Sequence, residues 1–155
     1  MDRDAWKVVF TRKSPLFIVV TIAYLTLAGF VKWKFAPPIE SLWYLAGGIL
    51  GLYFLDLAEA FFRLTPSPFR SVIFTAAFAG VSFFVISSSG SMLASGLVLS
   101  LYITLMLWQV GEWRLNRNLN SWYQMVAGPV SAATQQRLLL AFIALFIVES
   151  LIFIR

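Results

Sequence analysis

The apolar residues of this chain fall into five long runs, with polar and charged residues gathered between them. The runs cover 15–31, 41–62, 71–87, 92–108 and 138–154. A helix crosses a bilayer with about 20 mainly apolar residues, so each run reads as a transmembrane helix, the last three near the lower length limit. The boundaries carry helix signals. Ser14 and Pro15 form an N-cap and first-turn pair ahead of the first run, which Lys32, Trp33 and Lys34 close. The segment 35–40, with Pro37 and Pro38, is a turn, and Trp43 and Tyr44 open the second run. Arg70 precedes the third run, and the uncharged loop 88–91 makes the third and fourth a hairpin.

Between Gln109 and Gln136 the pattern changes. Leu115, Leu119, Trp122 and Val126 recur at helical spacing, while Arg114, Arg117, Asn118 and Gln124 lie away from them. That periodicity predicts an amphipathic helix over about 110–126, lying in the membrane interface. The first 14 residues place Arg3, Lys7, Arg12 and Lys13 around Trp6, Val8, Val9 and Phe10, a second interfacial pattern. No repeat or flexible linker divides the chain. The expected architecture is an all-α integral membrane protein, one domain over 1–155. It is a bundle of about five transmembrane helices with an interfacial amphipathic helix before the last span.

Composition sharpens this picture by exclusion. Of 155 residues, 60% are hydrophobic and 12% charged, about half the charge of an average soluble domain. Histidine and cysteine are both absent, which removes the usual zinc, haem and iron–sulfur ligands, thiol nucleophiles and serine–histidine triads. No phosphate-loop, hydrolase-serine or paired-aspartate transferase pattern occurs. No metal or other cofactor is expected. The net charge of +5 suits loops facing an anionic leaflet, so the bilayer rather than nucleic acid is the expected contact.

The distribution of that charge orients the chain. Nine basic residues (Arg3, Lys7, Arg12, Lys13, Arg63, Arg70, Arg114, Arg117 and Arg137) fall on one side of the expected spans, and three (Lys32, Lys34 and Arg155) on the other. The positive-inside rule predicts a cytoplasmic N-terminus and an external C-terminus. Compact loops and short spans fit a bacterial cytoplasmic membrane. Trp6, Trp108, Trp113 and Trp122 fall at inner boundaries and Trp33 and Trp43 at outer ones, an interfacial belt with no tryptophan in mid-span.

Three constellations are candidates for more than anchoring. Asp56, Glu59 and Arg63 share a face near the inner end of the second helix. They read either as a proton, cation or headgroup site between helices, or as a Glu59–Arg63 helical pair with Asp56 met by Arg70 or water. Glu149 lies among Leu, Ile and Val beyond mid-bilayer. It is expected to be protonated, hydrogen-bonded to Ser or Thr of another helix, or drawn toward Lys32, Lys34 or Arg155. Small residues form the third pattern: Gly47, Gly51 and Ala58 on the second helix, Ala76 and Gly80 on the third, and Gly96, Ser100 and Thr104 on the fourth. Such stripes permit close helix packing, within the chain or across a dimer seam. The small face of the second helix stands about 130° from its acidic face, which predicts neighbours on two sides and a central position.

The leading functional expectation is a noncatalytic multi-pass membrane protein: a scaffold, assembly factor or small subunit packing against itself or another membrane protein. A small oligomeric transporter or channel using Asp56, Glu59 and Glu149 is the alternative. A lipid-modifying enzyme, with Asp56 and Glu59 helped by Glu112, is the third. A cavity reaching Glu149 would favour transport, and convergence of the three acids on one pocket would favour catalysis.

Overall fold

A computed structural model describes residues 14–62 and 67–155, which form an all-helical membrane bundle. The helices are α1 (Pro15–Lys32), α2 (Ser41–Phe62), α3 (Val72–Ser88), α4 (Met92–Asn116) and α5 (Ala132–Ile154). Short 3-10 turns at Pro68–Arg70 and Asn120–Tyr123 precede α3 and follow α4. Four helices are long and apolar enough to cross a membrane, and α3 is a shorter apolar helix of 17 residues.

Local chemistry fixes the helix starts. Pro15 occupies the first turn of α1, where its missing N–H costs nothing. Ser71, Ser91 and Ser131 each accept a bond from a backbone N–H of the first turn of α3, α4 and α5, at 3.1–3.2 Å. After α1, Lys34 and Phe35 both take left-handed backbone angles, which lets the Phe35 N–H return to the Phe30 carbonyl before Pro37 and Pro38 forbid further helix.

The amphipathic stretch differs from expectation. No separate interfacial helix spans 110–126; α4 runs on to Asn116, and its 25 residues exceed the roughly 20 that an upright span needs. It stops because Arg117 turns left-handed (φ 57°) and caps Trp113, and Asn118 bonds both the Asn116 carbonyl and the Asn120 N–H. The helical periodicity of Leu115, Leu119, Trp122 and Val126 is thereby broken: Leu119 and Trp122 are buried, whereas Leu115 is 85% exposed.

The position of the central helix is a second correction. It is α4, which packs on each of the other four helices, whereas α2 packs chiefly on α1 and α4. From Val98 to Leu105 every residue of α4 is buried, so its whole circumference is covered. A helix apolar or small on all sides suits that place, while α2 carries bulky exposed residues such as Trp43, Ile49 and Phe54 on its outer face.

Candidate functional site

The tightest contact in the bundle is a glycine seam between α2 and α4. A side-chain carbon at Gly47 would fall on the Leu93 carbonyl, one at Gly51 on the Leu97 carbonyl, and one at Gly96 on the Tyr44 carbonyl. The two backbones therefore touch, as small-residue faces allow. Gly48 faces α1 instead, against the Leu25 side chain. Ser100 and Thr104 are fully buried on α4, and the Thr104 hydroxyl bonds back to the Ser100 carbonyl. Ala58 is half-buried, while Ala76 and Gly80 are exposed on α3. Among the described residues nothing stands within 4 Å of a Cβ added at Gly80.

The carboxylates do not gather in one place. Asp56 and Glu59 are both buried on α2, and Arg63 lies outside the described residues. Arg70, expected opposite Asp56, pairs with Glu59 instead: its Nε and Nη2 donate to the two carboxylate oxygens at 2.9 and 3.0 Å. A side-on fork of this kind is among the stronger charge-assisted contacts. The Arg70 guanidinium also stacks 3.5 Å above the Trp108 ring, which ties the α2 end, the turn before α3, and α4 together.

Glu149 is fully buried on α5, and its Oε2 accepts a 2.5 Å bond from the Ser82 hydroxyl of α3. It does not reach Lys32, whose ammonium donates to the Phe153 carbonyl at 2.5 Å and stands over the Phe153 ring. A cation serves well there, because the last carbonyls of α5 carry its negative dipole end. Around Glu149 the core is aromatic and sparsely polar. Tyr102 stacks on Phe142 and donates to the Phe142 carbonyl at 2.8 Å, and the Tyr24 hydroxyl shares a 2.6 Å bond with Ser150.

Glu112, near the end of α4, holds the following turn. It accepts from the Ser121 hydroxyl and, at 3.0 Å, from the Trp122 indole N–H. Trp122 is consequently buried, unlike Trp43, which is exposed in the first turn of α2. Trp33, Trp108 and Trp113 are half-buried near helix ends, and Trp6 lies outside the described residues. Glu112 and Arg70 line a common cavity of about 720 Å³, which neither Asp56 nor Glu59 lines. Among the described residues no three acidic side chains stand together as a metal would require.

Two glutamines escaped the sequence reading. Gln109 donates to Thr75 at 3.0 Å, joining α4 to α3. Gln135 is buried at the start of α5; its Oε1 accepts from the Leu119 N–H, and its amide donates to Asn120 Oδ1 and the Val130 carbonyl. One side chain thus satisfies a backbone donor and a backbone acceptor at the two ends of the loop. For Gln109, a glutamine at the end of an apolar run is the signal the sequence offers, since a buried amide must find partners; Gln135 stands in the polar segment ahead of the last run and carries no such signal. No protein-family model, curated protein or solved structure matches this chain.

Proposed function

We propose that this protein is a noncatalytic multi-pass membrane component that packs against a second copy or another membrane protein. The observation carrying this reading is the division of its small-residue faces. Those of α2 and α4 are consumed against each other, whereas Ala76 and Gly80 on α3 lie exposed, with open space beyond Gly80. Lipid gains nothing from such a notch, but another helix can approach closely there. The carboxylates support a noncatalytic role, since Glu59, Glu112 and Glu149 each fasten one segment of the fold to another. Nine basic residues against three support a cytoplasmic N-terminus and an external C-terminus, with α3 crossing as the third of five spans, while compact loops and short spans support a bacterial cytoplasmic membrane.

Purification in mild detergent tests the reading. Wild type is expected to elute with a second copy or a membrane partner, and Gly80→Leu to release it at least tenfold more readily while its own unfolding midpoint holds. A wild-type monomer with no partner would overturn the proposal.

A proton or cation pathway is the second reading, and one observation favours it: Glu149 Oε1 is buried with no hydrogen-bond partner among the described residues. Intramembrane acids left partly unsatisfied often move protons. A Gln at this position can still accept from Ser82 but cannot carry a proton. If packing is the role, Glu149→Gln leaves partner retention unchanged and wild-type liposomes show no proton flux; flux that Glu149→Gln abolishes would establish the pathway instead.

A further inference from the structure

The cavity shared by Arg70 and Glu112 is built from side chains held in place before any ligand arrives. Its 720 Å³ falls within the roughly 300–1,000 Å³ of small-molecule sites. One wall carries the Arg70 guanidinium, oriented by Glu59 and the Trp108 face. Another carries the Glu112 carboxylate, oriented by Ser121 and Trp122. Phe17, Leu107, Leu115 and Met125 supply apolar surface beside them. The cavity lies where α4 leaves its apolar stretch, at the level of Trp108, a depth where headgroups and the first acyl carbons meet.

We propose that this cavity binds a phospholipid whose headgroup carries a phosphate and a primary ammonium. Two of the five N–H donors of Arg70 engage Glu59, which leaves three on a residue that lines the cavity to meet the phosphate. Glu112 accepts one bond on each oxygen and retains lone pairs for the ammonium. A headgroup of only negative charge would face Glu112 without compensation. A quaternary ammonium has no N–H for Glu112 to accept and so forfeits the charge-assisted bond that a primary ammonium makes there. The lipid tail lies along Leu107 and Leu115 toward the bilayer. Because both charged groups are pre-oriented, little ordering is required on binding.

Gly111 gives a clean test, since it lines the cavity and a Cβ added there meets no neighbouring atom of the described residues within 4 Å. The full chain in mild detergent is mixed with equimolar phosphatidylethanolamine, phosphatidylcholine and phosphatidylglycerol, and bound lipid is counted by native mass spectrometry. Phosphatidylethanolamine is expected to exceed each of the others at least tenfold. Gly111→Leu is expected to reduce its binding at least tenfold with helix content and unfolding midpoint retained. Glu112→Gln, measured in parallel, is expected to erase the preference over phosphatidylcholine. Equal binding of the three lipids, or unchanged binding in Gly111→Leu, would overturn the proposal. Soluble phosphoethanolamine binding as tightly as the lipid would also overturn it, by placing recognition on a free phosphate ester.

Discussion

Replacing Gly96 with alanine is expected to destabilise the bundle by about 3 kcal/mol or more, an effect at the upper end for overpacking. The added methyl would overlap the Tyr44 carbonyl of α2, and backbone cannot swing aside as a side chain can. The helices must separate, and the contacts at Gly47 on Leu93 and Gly51 on Leu97 loosen with them. Alanine at Gly48 meets only the end of the Leu25 side chain and is expected to cost less. At Gly80 and Gly111, where space is open, alanine should instead stabilise by about 0.5–1 kcal/mol through helix propensity. Thermal unfolding in one detergent across these positions checks the ranking. Equal effects at Gly96 and Gly80 would contradict the seam.

Gln135→Ala should have the second largest effect, a loss of about 2–3 kcal/mol, since three hydrogen bonds disappear and one of them serves a buried backbone group. The Leu119 N–H loses its acceptor, and Asn120 and the Val130 carbonyl lose their donors. The damage should be local. Hydrogen exchange is expected to rise over residues 118–131 while the α2–α4 seam remains protected. Gln135→Glu keeps the acceptor for Leu119 but sets a carboxylate oxygen against Asn120 Oδ1 and the Val130 carbonyl, so it should cost at least as much as alanine. Uniform exchange in Gln135→Ala and wild type would remove the role given to this side chain.

The contrast between these two sites explains how much the sequence made legible. Hydrophobic runs mark helices in lipid because backbone must be satisfied internally, and the run 41–62 coincides with α2. Small-residue spacing likewise marks faces able to approach closely, as at Gly47, Gly51 and Gly96. Pairing between elements is another matter. Nothing in the spacing of Asp56, Glu59 and Arg63 says that Arg70 will fold back onto Glu59, because that depends on the path of the chain between α2 and α3. The central place of α4 is equally nonlocal, since apolar side chains facing lipid and facing protein look alike in sequence. The expected interfacial helix failed on one backbone angle, at Arg117, that periodicity does not encode. Gln135 stands in a polar segment ahead of the last apolar run, where no spacing marks it as buried, although its burial organises the loop before α5.

Partner packing on α3 is the central functional claim, and cysteine chemistry tests it directly because the chain has no native cysteine. Gly80→Cys, carrying a photo-crosslinking reagent in native membranes, is compared with Leu151→Cys, an exposed apolar position on α5. The outward notch on α3 predicts a discrete crosslinked protein product from position 80 and only lipid adducts from position 151. Lipid adducts alone from both positions would contradict it.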